Sequence, residues 1–306
     1  MKHEISSKKQ SLFDALLDLL AEYDRVCSEY NLKYYAYGGT MLGAVRHKGF
    51  IPWDDDIDVT MPRDDYNKLK ELAKRGIFKE PYFFQNSETD IGFPRGISRL
   101  RNSNTTAIPY DDVAMNCNKG VFLSIFPLDI IPDDDKLARK QIKKLQTIRL
   151  FMNSFARYYS GFGAEGTTFV KKIAYHVSVL LFKLKILTVP RLNDAFEKTA
   201  ACYNHTQNGR VGLITVAFND KRNTHKRDLF EGNTIWSDFE TTKIPIPEHY
   251  DKILSHIYGD YMIPVQAPTE HGDMLYSTTV NYKQFQKEHA EELKAGWLAQ
   301  TETKKK

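Results

Sequence analysis

Cysteine is scarce in this chain. Cys27, Cys117 and Cys202 are the only three among 306 residues, and no two form a Cys-x-x-Cys pair. That excludes a disulfide framework and a structural zinc site, and it fits a reducing compartment. Excess charge is scarce as well. A formal net charge of +4 is far from the basic balance of a nucleic-acid binder, so no nucleic-acid partner is expected, although local basic patches can still meet phosphate. The N-terminus, Met1 to Gln10, lacks the apolar core of a signal peptide, which makes a cytoplasmic protein the default. There is no internal repeat. The length fits one large unit, or one unit plus an insert.

An unbroken spanning segment is also missing. Ile173 to Val189 is apolar but carries Lys183 and Lys185 in its second half, and each lysine is costly at mid-bilayer. Three readings stand. A buried helix is favoured. A helix lying in the membrane interface, its lysines snorkelling and Lys171-Lys172 facing anionic lipid, comes next, and a true span last. The interface reading puts the protein at the inner face of the cell membrane, with the basic residues Lys140, Lys143 and Lys144 contributing.

The rest of the chain shows ordinary amphipathic patterning. Leu12, Leu16, Leu19, Tyr23, Val26 and Tyr30 recur at three- and four-residue steps, which predicts a helix over Ser11 to Tyr30. A short strand over Lys33 to Tyr37 runs into Gly38-Gly39. Thr40 then caps a short helix, Met41 to His47, and a loop leads to a strand from Asp56 to Met61. A charged helix follows Pro62. Tyr82 to Gln85, Gly96 to Arg101 and Gly120 to Phe126 are further strands. After Pro132 the character changes to a basic helix over Lys136 to Phe155, a glycine-rich break, the apolar stretch, and a helix over Pro190 to Tyr203. Mixed structure returns near Val211 to Phe218, Asp251 to Tyr258 is a late helix, and the tail from Thr301 reads as disordered. The pattern predicts an α+β fold, a mixed sheet with flanking helices and a mainly helical insert or second lobe. The expected divisions are a core over 1–132, the helical part over 133–208, a completing part over 209–300, and the tail 301–306.

The chemistry concentrates between Gly38 and Val59. On a strand, Asp56 and Asp58 point one way while Ile57 and Val59 point the other. Two carboxylates converging on one point repel unless a cation sits between them, and hard oxygen ligands suit Mg²⁺ or Mn²⁺. Asp56 and Asp58 are therefore the expected metal ligands and catalytic carboxylates, with Asp54 an additional neighbour and Asp55 turned away. Gly38, Gly39 and Thr40 form a strand-to-helix turn whose backbone N–H groups can approach a phosphate. Arg46 and Lys48 are candidate cations for the same phosphates. Trp53 can stack on a base, either Arg99 or Arg101 is a further donor-site candidate, and His271 is a weak acceptor-site candidate.

The run from Gly38 to Val59, GGTMLGAVRHKGFIPWDDDIDV, resembles the core motif of the LicD family. So do MPRDDY from Met61 to Tyr66, GVFLSIFPLD from Gly120 to Asp129, LFEG from Leu229 to Gly232, and IYGDYM from Ile257 to Met262. The resemblance implies a nucleotidyltransferase-like fold in which the glycine turn holds the donor's phosphates and the aspartates hold magnesium. It also implies transfer of a substituted phosphate from a CDP-alcohol, such as CDP-choline, to a sugar hydroxyl. The acceptor would be a lipopolysaccharide, teichoic acid or capsule precursor, and CMP would leave. Relatives, including the fukutin-related proteins, use donors like CDP-ribitol. One position departs from the family pattern: Ser124 stands where a third aspartate precedes Phe-Pro-Leu-Asp. Serine is a poor base and a weak metal ligand, so either Asp129 or one of Asp111 and Asp112 reaches the site, or activity is low. Nucleotidyl transfer from a nucleoside triphosphate and a catalytically weak scaffold remain the alternatives.

Overall fold

The computed structural model describes residues 5–159, 161, 163–164, 167–216, 221–266 and 274–303. The chain folds as α+β. Its first helix, α1 (Ser7–Glu29), is capped by Ser6, whose side chain accepts from the Lys9 N–H. The predicted stripe of Leu12, Leu16, Leu19, Tyr23 and Val26 is fully buried. After β1 (Tyr35–Ala36) and α2 (Gly38–Arg46) come β2 (Ile57–Pro62), α3 (Arg63–Lys74), β3 (Tyr82–Gln85), β4 (Ser98–Asn102), β5 (Thr106–Pro109) and the long β6 (Val121–Ile131). The sheet runs β1-β2-β6-β4-β3. β2 and β6 are parallel, while β1–β2, β4–β6 and β3–β4 are antiparallel. β7 (Arg210–Gly212) continues along the far half of β6, and β8 (Thr224–Lys226) pairs with β7.

Register decides which residues share a face. Ile57, Val59 and Met61 of β2 lie beside Leu123, Ile125 and Pro127 of β6, and α1 and α3 pack against these strands. This apolar face joins the stripe of α1 in one core. The opposite face is polar. There Asp58 lies directly across from Ser124, and Ser124 across from Arg99, so strand alternation puts all three side chains on one surface. The 3.6-residue stripe of α1 and the two-residue period of the strands together leave this face for chemistry.

Beyond β6 the chain is helical. α4 (Asp135–Tyr159), α5 (Phe169–Lys183) and α6 (Val189–Ala200) contribute to an apolar cluster of their own around Leu145, Met152 and Phe196. The favoured reading of Ile173 to Val189 as a buried helix is corrected here. α5 ends at Lys183, the chain turns through Lys185 at φ +57°, and α6 starts at Val189. Ser178 alone is buried in α5, and Phe169 is 77% exposed, Val170 68% and Leu180 57%. One side of this helix is covered by α4, too little to sequester so many apolar side chains. Among the described residues no helix is long and apolar enough to cross a membrane.

A hairpin of β9 (Thr234–Phe239) and β10 (Thr242–Pro247) precedes α7 (Tyr250–Tyr258). β11 (Met274–Ser277) then pairs with β5, and α8 (Tyr282–Glu288) and α9 (Ala290–Thr303) close the described chain. α9 runs to Thr303, into the tail expected to be disordered from Thr301, because buried Leu293 and Trp297 anchor it. His271 and residues 304–306 lie outside the described residues.

Candidate active site

The glycine turn is tighter than its sequence suggests. α2 begins at Gly38, with Tyr37 at its N-cap, and Gly38 sits at φ +56°, a conformation that favours glycine. Thr40 is not the cap. It lies inside the first turn, and its Oγ1 accepts from the Asp58 N–H at 2.9 Å. The Tyr37 N–H donates to the Asp58 carbonyl at 3.0 Å, so the turn and β2 are locked together at Asp58. A Cβ on Gly39 would lie 2.5 Å from Asp54 Oδ2. A side chain there would have to displace the Asp54 carboxylate.

The carboxylates fall out differently from the strand-alternation expectation. β2 starts at Ile57, so Asp56 precedes the strand. Asp54, Asp55 and Asp56 each offer an oxygen, all within 4.8 Å of one another. Asp55, expected to turn away, is thus part of the cluster, because these residues lie in an irregular segment ahead of the strand rather than in its pleat. Asp58 stands on β2 beside the cluster in sequence and faces Ser124. Burial pushes the Asp54 carboxyl up to about 8, and repulsion from Asp56 and Asp55 adds to it. Three hard oxygen donors at this spacing, one destabilised as an anion, fit a divalent cation of the Mg²⁺ or Mn²⁺ type. The first-turn N–H groups of a helix lack intrahelical acceptors and favour an anion. Here that helix start lies against the Asp54 carboxylate, a negative group of the kind it favours.

Ser124 is buried on β6 between Asp58 and Arg99. The carboxylates proposed to replace it are engaged elsewhere. Asp129 is five positions farther along β6, on the other face and about 16 Å away at strand rise. It is fully buried, bound by Arg63 through Nε at 2.7 Å and through Nη2, and by Asn204 Nδ2 at 2.8 Å. Asp112 is 1% exposed and accepts from Arg99 Nη1 at 2.6 Å and from Arg95 Nη2, with Arg101 Nη2 at 3.8 Å. Asp111 lines a cavity together with Arg95, Arg157 and Trp297. Arg99 also lies over the Phe122 ring, 3.9 Å from its centroid, so its guanidinium is held beside Ser124 by charge and by stacking.

Arg46 donates from Nη1 to the Tyr261 carbonyl at 2.6 Å and to the Ile263 carbonyl at 3.4 Å. It fastens α2 to the segment after α7. Lys48 sits at φ +61° in the turn after α2, where its carbonyl accepts from the Glu240 N–H. Trp53 packs edge-on to His47 and against the main core.

Sequence reasoning missed several neighbours. Lys9, at the start of α1, interacts with Asp55, Asp54 and Asp56, although burial lowers its pKa. Tyr276 on β11 is raised by burial and by Asp55. His225 on β8 contacts Tyr37 Oη at 2.7 Å, directly behind the glycine turn. No local signal marks these three, each of which is distant in sequence from the aspartates or the glycine turn that it meets.

A mixed sheet presenting a glycine turn, an acidic cluster and one further aspartate on its polar face is the arrangement of a nucleotidyltransferase-type domain. Residues 31–148 match the domain described as LicD/FKTN/FKRP, nucleotidyltransferase domain. The chain is 28% identical over 250 residues to the lipopolysaccharide cholinephosphotransferase LicD of Haemophilus influenzae, covering 80% of this chain and 88% of that protein. It is also 38% identical over 133 residues to an uncharacterized protein of Rickettsia prowazekii, covering 43% of this chain and 44% of the relative. An uncharacterized protein of Rickettsia typhi is 39% identical over 71 residues, 23% of this chain and 22% of its own length.

Proposed function

We propose that the protein transfers phosphocholine, or a similar phospho-alcohol, from a CDP-activated donor to a sugar hydroxyl of a cell-surface glycan precursor and releases CMP. The observation that carries this reading is the approach of Asp54 to Gly39. It sets a divalent-cation donor set against a helix start suited to phosphate. The name of the Haemophilus influenzae relative supports choline phosphate and lipopolysaccharide as the chemistry to test first.

In this reading Gly38, Gly39 and Thr40 cradle the diphosphate, and Asp54, Asp55 and Asp56 would hold Mg²⁺ or Mn²⁺, with Asp58 nearby in sequence on β2. The bound cation supplies charge neutralisation on the diphosphate oxygens. The acceptor oxygen attacks the donor's β-phosphorus in line, the bond to the CMP oxygen breaks, and the hydroxyl proton passes to a carboxylate. Asp58 is the candidate for that proton, because it shares a face with Ser124 and Arg99. The Arg99 guanidinium, steadied by Asp112, opposes the charge that develops on the transferred group.

The test is CMP release from a panel of CDP-alcohols with Mg²⁺ and glycan acceptors. Asp58→Asn should lower turnover by about 10²-fold or more if it takes the proton, and no CMP from any donor sinks the reading. Pyrophosphate release from a nucleoside triphosphate would move the chemistry to nucleotidyl transfer. A catalytically weak scaffold is the second reading, favoured by the commitment of Asp129 and Asp112 to their arginine partners.

The exposed apolar side of α5, flanked by Lys171, Lys172, Lys183 and Lys185, supports peripheral docking on an anionic membrane where a lipid-linked acceptor would be met.

A further inference from the structure

The glycine turn lies within the stretch that matches the LicD/FKTN/FKRP domain, but its back wall comes from the C-terminal part of the chain. Tyr37 is the N-cap of α2, yet its side chain makes no capping bond to the first turn. Serine, threonine, aspartate or asparagine at an N-cap offers an oxygen to those N–H groups. Tyrosine does not compete for them. Its hydroxyl instead lies 3.0 Å from Asn223 Oδ1 and 2.7 Å from His225 Nε2. An amide oxygen can only accept, so the phenol donates its proton to Asn223 and the His225 Nε2–H donates to the phenol oxygen. His225 Nδ1 is buried with no hydrogen-bond partner among the described residues, so a second ring proton would have no acceptor there. The ring is held as the neutral Nε2–H tautomer, the form that makes this bond.

Tyr37 carries the contact into the turn. Its backbone N–H donates to the Asp58 carbonyl at 3.0 Å, and its carbonyl accepts from the Met41 N–H at 3.3 Å. Gly38 follows directly at φ +56°, so a shift of Tyr37 shifts the whole first turn. On the other side, the His225 ring is backed by Phe230 and His256, with centroids 5.8 Å and 5.4 Å away. His256 Nε2 is itself 2.9 Å from the Lys221 carbonyl. β8 pairs with β7, and β7 with β6. The contacts therefore run from the sheet through His225 and Tyr37 to the turn.

We infer that His225 is a positioning residue for donor binding, holding the glycine turn through the Tyr37 hydroxyl in the orientation that receives the diphosphate. It touches no reacting atom. The inference rests on the reading of the turn as the diphosphate cradle, and it adds that a residue far beyond the matched domain sets the affinity of that cradle. The first-turn N–H groups belong to one rigid unit, so a displaced N-cap misdirects them together, and small misplacements of binding groups are costly.

The experiment measures binding of CDP, and separately of pyrophosphate, to the full chain by calorimetry with Mg²⁺ at neutral pH. Tyr37→Phe keeps the ring and removes the hydroxyl, and His225→Leu removes the ring nitrogens. Each should weaken both ligands about tenfold, the scale on which supporting hydrogen bonds tune a bound group. His225→Gln presents an amide N–H near the place of Nε2 and should recover most of the affinity, which a general packing defect would not allow. Ile148→Val, in the apolar cluster of the helical part, is a mildly destabilised control that should bind as wild type does. Where CMP release is established, Tyr37→Phe should raise the donor KM with kcat little changed. Undiminished binding by Tyr37→Phe and His225→Leu, or no recovery in His225→Gln, overturns the inference and leaves the donor reading standing. Absence of CDP and pyrophosphate binding to wild type overturns the donor reading and the inference with it.

Discussion

Replacing Asp112 with asparagine should weaken the fold through the cluster of arginines that this carboxylate holds together. The carboxylate is 1% exposed and accepts from Arg95 and Arg99, with Arg101 at 3.8 Å. Asparagine keeps the shape and one acceptor oxygen but removes the charge that balances three guanidiniums. Arg101 shows how finely that balance is set: burial, with Arg99 adding repulsion, already lowers it to about 9. Removing one partner of a buried ion pair costs about 3–5 kcal/mol. For a chain of this size that corresponds to a fall in Tm of roughly 10 °C. The sign of the pH dependence follows. Burial alone would raise the Asp112 carboxyl, but Arg95, Arg99 and Arg101 together hold it well below the usual carboxylate range. Its contribution is therefore present above the unfolded pKa of about 4 and is lost as pH falls below it. Urea denaturation of wild type and Asp112→Asn at pH 7 and at pH 3.5 measures both effects. The variant should be several kcal/mol weaker at pH 7, with the gap narrowing at the lower pH. Added phosphate should restore the variant more than it stabilises wild type, because an anion can answer the cations left unbalanced. A difference below about 1 kcal/mol at pH 7 would refute the argument.

The remaining predictions concern the turn, the departure at Ser124 and the exposed helix. His225 is buried, and burial with repulsion from His256 lowers it to about 4 from 6.5. The unfolded chain thus binds the extra proton, and about 3 kcal/mol is lost as pH falls from 6.5 to 4; His225→Gln should flatten that slope in thermal melts. Ser124→Asp should raise CMP release by tenfold or more if the missing carboxylate limits turnover, and equal activity in both forms would remove the weak-scaffold reading. Double replacement Phe169→Ser and Leu180→Ser should abolish flotation with vesicles containing anionic lipid while leaving Tm within about 2 °C, since both side chains are more than half exposed. Retention of wild type on neutral vesicles alone would count against the lysines.

Much of the fold was readable because its core elements obey simple periods. The α1 stripe is buried as its spacing predicts, and β3 occupies the predicted Tyr82 to Gln85. What stayed hidden depends on partners distant in sequence. β5 is a strand of four residues whose ladder is completed by β11, more than 160 positions later. The β9–β10 hairpin turns at Glu240, a residue at φ +51°, without the Asn-Gly or Asp-Gly signal that marks a tight turn. α5 shows the opposite failure. Its apolar composition argued for burial, but composition reports what a helix is able to cover and not whether a neighbour covers it.

The site was legible in its parts and illegible in its assembly. The motif located the glycine turn and the aspartates, yet strand alternation assigned Asp56 to a pleat that begins only at Ile57, and so separated Asp55 from a cluster it belongs to. Ser124 was flagged as a missing carboxylate, and the register explains why no nearby aspartate fills the gap. Asp129 is close in sequence but an odd number of residues away, so the pleat turns it to the apolar side, where Arg63 takes it. Asp112 is on the correct side but is spent on arginines. The polar face therefore presents one aspartate, one serine and one clamped arginine in a row across three strands. Among the described residues, the proposed transfer therefore has Asp58 and the Asp54–Asp56 segment as its nearest candidate proton acceptors, and that restriction, invisible in the motif, is what gives the Ser124→Asp measurement its weight.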